Sequence, residues 1–416
     1  MDTTPFTSSP ALLTRRRMLG AAVALGAAAP LGLASGAFAA APSTAAAPAS
    51  PRTAAPGSGR LTLPEPTGPY PVGTVALHLR DTSRPDPSAG PGAFRELMAA
   101  VWYPARNSDA DSHPFAPWMT DGALKAFLND AGFPLPLSLA PLTSGRLGAP
   151  VHRFGHRLPV VVYSHGSGSH RADHTIMVQE LASHGYVVLT VDHTYDGYTE
   201  FPDGRVITDG MGPAQGLYPR DYAADARFIV DCAQELASGR NPDVDGKALP
   251  DGLLGALDPL DIGMFGWSKG GTATAIAMTA DRRIRAGISI DGPMLPLITT
   301  DLDRPFLMMT AVFTRAKEKG PADFWTHLRG WRRDIQADGA VHASYGDNLV
   351  LIPQAAKLLG MSQQQVQQMV GTLDPDRGAL IQQAYPLAFF DQHLRHRRGQ
   401  LLDGPSSKFP EVTFIP

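Results

Sequence analysis

The chain has 416 residues with 43% hydrophobic and 18% charged side chains and a formal net charge of −3. That composition excludes a disordered chain, leaves room for one large α/β unit with appendages or two modest domains, and offers no global basic field, so no nucleic-acid partner is expected. A single cysteine, Cys232, excludes an intramolecular disulfide framework and reads as a small core residue of an apolar helix.

In chain order, Arg15, Arg16 and Arg17 precede Met18 and Leu19, an Ala/Leu/Gly run follows from Gly20 to Ala29, and Ala37-Phe38-Ala39 closes it. A charged start, an apolar stretch and an A-x-A site predict a twin-arginine-type export signal over residues 1–39 and a secreted protein. Pro30 and the interspersed glycines argue against a membrane anchor. Residues 40–60, nearly all Ala, Pro, Ser, Thr and Gly, read as a disordered linker, and residues 61–416 as one folded domain.

The segments Val72 to Arg80 and Glu96 to Pro104 have strand composition, with turn-rich sequence between them, and predict an antiparallel N-terminal hairpin. After it strands and helices alternate. Leu158 to Ser164, Tyr186 to His193, Asp261 to Trp267, Ile284 to Asp291 and Arg304 to Ala311 read as strands. His174 to Gly185, Arg220 to Ser238 and the Gly270 to Ala280 stretch read as helices. Continuous apolar runs alternating with helical patterns predict a mostly parallel, doubly wound α/β sheet. Leu351 to Arg377 reads as helix, turn and the start of a further helix, with no chemistry.

Phe265-Gly-Trp-Ser-Lys-Gly-Gly-Thr272 contains G-x-S-x-G, which alone is weak in a chain with 42 glycines. Its context is stronger: a strand ends just before Gly266 and a small-residue helix begins just after Gly270. A serine on such a turn occupies strained backbone, and Gly266 and Gly270 remove the collisions around it. Ser268 is therefore the expected nucleophile. It needs a base oriented by a carboxylate, in the order Ser, Asp or Glu, His. Asp291 ends a strand before Gly292-Pro293 and is the expected acid. Of the downstream histidines, His393 and His396 read as surface positions of an arginine-rich helix and His327 as helical, whereas His342 opens a loop of small residues. His342 is preferred as base over His327. Oxyanion donors follow: the backbone amide of Lys269 after the nucleophile, and that of Ser167 in the His165-Gly-Ser-Gly168 turn after an earlier central strand.

With these residues in place, the segments VVVYSHGSGSHRADHTIMVQELASHGYVVLTVDH, IGMFGWSKGG, GISIDGPMLPL and GAVHASYGD resemble, in order, four signature blocks of the plasma-type platelet-activating-factor acetylhydrolases and their bacterial relatives. GPYPVG, VWYPA and AYPLAFFDQHL are similar too, so the resemblance covers nearly all of residues 66 to 396. It implies an α/β-hydrolase fold, a Ser268–Asp291–His342 triad, an oxyanion hole from the Ser167 and Lys269 amides, and no cofactor. The implied reaction is cleavage of short or oxidised acyl chains from phospholipid-like esters through an acyl-enzyme. The alternative is a broad lipase, cutinase or polyester hydrolase with the same triad, since Trp267 and Lys269 stand where mammalian members have His and Phe and G-W-S-x-G also occurs in those enzymes.

Three further expectations come from the residues. The Lys269 ammonium, near a helix N-terminus, could favour anionic substrates or simply pack its stem in solvent. His165, His170, His174, Asp192 and His193 match no metal-ligand spacing, so no metal is expected. Aromatics from Phe324 to Trp331 beside Arg332 and Arg333 suggest one helix, packing on the core or meeting a lipid surface transiently; no obligate protein partner is evident.

Overall fold

A computed structural model of the chain describes residues 59–416, so the expected export signal and almost all of the expected linker lie outside the described residues. The strands are β1 (Val72–Pro85), β2 (Phe94–Pro104), β3 (Phe115–Pro117), β4 (Leu142–Leu147), β5 (Leu158–Ser164), β6 (Val187–Asp192), β7 (Thr199–Glu200), β8 (Val206–Ile207), β9 (Leu257–Trp267), β10 (Ile284–Ile290), β11 (Phe306–Thr310), β12 (Arg332–Ala337) and β13 (Val412–Phe414). The helices are α1 (Asn107–Ala110), α2 (Asp121–Ala131), α3 (Thr175–Ser183), α4 (Pro219–Ala237), α5 (Lys269–Ala280), α6 (Lys319–His327), α7 (Asn348–Leu359), α8 (Gln363–Val370) and α9 (Pro375–Leu394).

All strands but β7 and β8 join one eleven-stranded sheet in the order β13-β12-β11-β10-β9-β5-β6-β2-β1-β4-β3. From β6 to β12 neighbouring strands are parallel. The β1–β2 hairpin pairs antiparallel from Val72↔Pro104 to Asp81↔Arg95 and docks antiparallel on β6. This is the doubly wound, mostly parallel architecture with an N-terminal hairpin that the sequence predicts. The central strands read as unbroken apolar runs because both faces are covered: every residue of β5 and β6 is buried. One face packs against α4, α5 and α6, the other against α3, α7, α8 and α9. Cys232 is a buried residue of α4, as expected of a core position.

After β6 the chain returns to the other side of β5 to build β9 through β12. The strand order therefore reverses between β5 and β9, and in open α/β sheets such a switch opens a crevice at the carboxyl ends of the strands. His165 to Gly168, Ser268 and Asp291 leave the sheet at that edge.

The single helix expected from Phe324 to Arg333 is corrected. Helix α6 stops at His327, and the chain then pairs with the segment before β11: the Arg329 amide donates to the Leu302 carbonyl at 2.8 Å. Arg332 opens β12, whose Arg-Arg-Asp-Ile-Gln-Ala composition carries little strand signal; the vacant edge of β11 makes it a strand. Nor do the α6 aromatics form a lipid-facing stripe. Phe324 is buried edge-on against Phe306, with ring centroids 5.1 Å apart. Trp325 lies beneath two guanidinium groups, Arg315 at 4.0 Å and Arg332 at 4.4 Å.

Candidate active site

The turn between β9 and α5 holds Ser268 at φ 55° and ψ −118°, a region a residue with a Cβ enters only under strain. Its amide donates to the Ile290 carbonyl at 2.9 Å, and its carbonyl accepts from the Thr272 amide at 3.2 Å, which ties the turn to β10 and α5. Side chains at the flanking glycines do not fit. A Cβ at Gly266 would run into the Gly270 carbonyl, and one at Gly270 into the Ser164 and His165 carbonyls. Thr272, Ala273 and Ala275 keep the buried face of α5 shallow enough to lie close to the sheet.

Asp291 follows β10 and is fully buried. Its Oδ1 accepts three backbone N–H groups, from Ala311 at 2.8 Å and from Val312 and Phe313 at 2.9 Å. Its Oδ2 lies 2.6 Å from His342 Nδ1. A carboxylate only accepts, so Nδ1 donates, and in the neutral imidazole that tautomer leaves the lone pair on Nε2. The imidazole packs on the Trp267 ring, centroids 4.8 Å apart, and edge-on to Phe313 at 5.2 Å. Trp267 Nε1 also donates to the His342 carbonyl at 2.8 Å. The residue preceding the serine thus fixes both ring and backbone of the histidine, a role nothing in the sequence signals beyond its adjacency to Ser268.

The other histidines lie elsewhere. His327 sits at the opposite edge of the sheet, before β12, with Nδ1 2.8 Å from Asp301 Oδ1. His396 is exposed. His393, expected on the surface, is instead half-buried between Trp331 at 4.6 Å and Phe389 at 4.9 Å, because α9 turns that face toward β12.

The Gly166–Gly168 turn lies directly over the serine: a Cβ on Gly166 would come within 3.1 Å of Ser268 Cβ and collide with the Trp267 ring. The Ser167 and Lys269 amides belong to the two segments that meet there, and the Lys269 amide is the first N–H of α5, where the helix dipole favours negative charge. The Lys269 side chain is held by protein groups. Its ammonium pairs with the buried Asp196 and donates to the Leu217 carbonyl at 2.8 Å, and its side chain is only 17% exposed. Both the anion-facing and the solvated readings of Lys269 are therefore corrected: side chains on a helix tilt toward its N-terminus, and here that tilt carries the ammonium under the turn after β6.

Beneath the turn the histidine cluster is engaged by protein groups. Ser164 Oγ lies 2.7 Å from His193 Nε2, and His193 Nδ1 lies 2.9 Å from Asp225 Oδ2. This is a second Ser–His–Asp string, but all three residues are fully buried, so a substrate cannot reach it. Burial opposes the Asp225 charge, yet Arg95, donating through two nitrogens at 3.1 and 2.7 Å, holds its carboxyl far below the usual range. His165 Nε2 accepts the His193 amide at 3.0 Å. His174 Nδ1 lies 2.8 Å from the Tyr163 hydroxyl, and Asp192 accepts the Arg171 amide at 2.7 Å.

Burial pushes His165, His170 and His393 each down to about 4. In the unfolded chain each protonates near its ordinary value of about 6.5. Between those values the unfolded chain binds protons that the folded chain refuses, so stability falls as pH drops from about 6.5 to about 4. The urea midpoint is expected to be lower at pH 4.5 than at pH 7, and His393→Leu to reduce that difference. A midpoint that His393→Leu leaves equally pH-dependent would show that this ring does not titrate as described.

The chain resembles known proteins over most of its length. The family described as "Platelet-activating factor acetylhydrolase, isoform II" matches residues 55–197 and 242–404, which include Ser167, Asp196, Ser268, Lys269, Asp291 and His342. A probable 1-alkyl-2-acetylglycerophosphocholine esterase of Arthroderma benhamiae is 27% identical over 385 residues, spanning 85% of this chain and 93% of that protein. The platelet-activating factor acetylhydrolase of Cavia porcellus is 23% identical over 365 residues, 81% of this chain and 79% of that one. Among solved structures, a ferulic acid esterase from Streptomyces cinnamoneus superposes with a TM-score of 0.70 at 32% identity, covering 86% of this chain and 100% of that chain. The sheet, its hairpin and this likeness make the fold that of an α/β-hydrolase.

Proposed function

We propose, for a chain that belongs to the platelet-activating factor acetylhydrolase, isoform II, family and is a carboxylester hydrolase, that Ser268 is the nucleophile of an acyl-enzyme mechanism. The observation that carries this reading is the chain of contacts from buried Asp291 through His342 to Trp267, the immediate neighbour of the strained Ser268. In the first step Ser268 Oγ attacks the acyl carbon and His342 Nε2 takes its proton, while Asp291 stabilises the imidazolium. The negative charge on the former carbonyl oxygen meets the Ser167 and Lys269 amides, each worth about 10²- to 10³-fold in rate. Collapse expels the alcohol, protonated by His342; water then attacks the acyl-enzyme with His342 as base and releases the acid.

For the substrate we propose short or oxidised acyl chains on phospholipid-like esters; the relatives named as a 1-alkyl-2-acetylglycerophosphocholine esterase and a platelet-activating factor acetylhydrolase support the acetyl case. A second reading, aromatic acyl esters, draws on the Trp267 and Phe313 rings beside His342 and on the ferulic acid esterase likeness. Broader lipase or polyester hydrolysis would use the same residues. We further propose export through the arginine-containing leader, tested by the location of a chain with Arg15 and Arg16 replaced by lysine; unchanged export would refute the twin-arginine route.

The test of substrate is turnover of a 2-acetyl phospholipid beside p-nitrophenyl acetate and octanoate and methyl ferulate, each with and without Ser268. Serine-dependent preference for the acetyl phospholipid is the expected result. Preference for methyl ferulate or for octanoate would replace it with the aromatic or the lipase reading.

A further inference from the structure

We infer that Asp196 and the Lys269 side chain form a positioning pair that holds the two oxyanion amides in register, an inference resting on the Ser268 mechanism above. The amides come from separate segments: Ser167 from the loop after β5, Lys269 from the start of α5. Each must lie within about 2.7–3.1 Å of the developing oxyanion, and a misplacement of about 1 Å costs about 10²-fold. The loop after β5 therefore needs an anchor that refers to the nucleophile turn itself.

One carboxylate supplies it. Asp196, fully buried in the loop after β6, accepts the Gly168 amide at 3.0 Å and the Ser167 hydroxyl at 3.3 Å through Oδ1. Through Oδ2 it takes the Lys269 ammonium. The donor turn on one side and the side chain of the donor residue on the other are thus joined by a single group. Tyr222 braces the joint: its hydroxyl lies 3.3 Å from the Asp196 carbonyl and 3.4 Å from the Gly166 carbonyl, and its ring centroid lies 5.1 Å from Lys269 Nζ. The Tyr222 ring in turn stacks on His193 at 3.6 Å, so the anchor rests on the buried His193–Asp225 network.

Displacing the turn would strip the Gly168 amide and the Ser167 hydroxyl from the buried Asp196 carboxylate while Lys269 holds that carboxylate in place, which disfavours the displaced state. The ammonium thus acts on catalysis through geometry and never touches the substrate. Asp196 and the Lys269 side chain are positioning groups, distinct from the Lys269 amide that meets the oxyanion.

The experiment compares an ester with its thionoester, whose developing charge sits on the larger sulfur and gains less from donors placed for oxygen. Asp196→Asn is expected to lower kcat on the ester about 10- to 100-fold with little change in KM. The ester-to-thionoester ratio of kcat/KM should shrink by a similar factor. Rates are normalised to nucleophile concentration from phosphonate burst titration, so partial unfolding lowers the active fraction but leaves the ratio untouched. Lys269→Gln, which breaks the pair from the other side, is expected to shrink the ratio likewise and serves if Asp196→Asn does not fold. An unchanged ratio in the folded variants overturns the inference. Hydrolysis surviving in Ser268→Ala would instead overturn the mechanism beneath it, so the two failures are distinguishable.

Discussion

Replacing Ser268 by alanine is expected to lower kcat for ester hydrolysis by about 10⁴- to 10⁶-fold, the range for losing the nucleophile of a triad. The melting temperature should move little. Alanine keeps the Cβ, so the backbone at φ 55° is no more strained than before, and the Ser268 amide and carbonyl bonds to Ile290 and Thr272 involve no side chain. Adding His342→Ala should cost almost nothing further, because a base without its nucleophile has no proton to take. The check is kcat of each variant on p-nitrophenyl acetate, with circular dichroism confirming the fold. A loss under about 10-fold would place the nucleophile elsewhere and refute the triad.

The parts of this site legible in the sequence are those that local chain geometry fixes. Gly266 and Gly270 could be read because a strained serine between a strand and a helix excludes side chains at both positions, and the structure shows backbone carbonyls occupying both. Asp291 and His342 could be placed because each ends or follows an apolar strand pattern at one edge of a parallel sheet. The hairpin and central strands were legible for the same reason: their periodicity and β-branched runs reflect burial. What stayed hidden depends on partners distant in sequence. Lys269 carries no mark of facing Asp196 rather than solvent, since the two meet only when β6 and β9 flank β5. Likewise β12 is a strand because β11 offers an unpaired edge, and His393 is half-buried because Trp331, beyond the end of α6, meets α9.

The carboxylate gives the sharper test of mechanism, because Asp291→Asn should preserve the fold and still lower kcat by about 10⁴-fold. Asp291 Oδ1 already accepts three amides, from Ala311, Val312 and Phe313. An asparagine can meet those three donors only with its carbonyl oxygen, so its NH₂ must point at His342 Nδ1. That nitrogen then has to accept, the ring proton moves to Nε2, and the nitrogen facing the reaction can no longer take the Ser268 proton. Backbone bonding survives while the tautomer inverts. Asp291→Ala differs, since it abandons the three amides inside the protein and should lower stability as well as rate. Measuring kcat and melting temperature for both variants separates the roles: Asn should lose rate alone, Ala both. If Asn were to retain rate within about 10-fold of the parent, Asp291 would be an anchor for the β11 loop and not the group that orients the base.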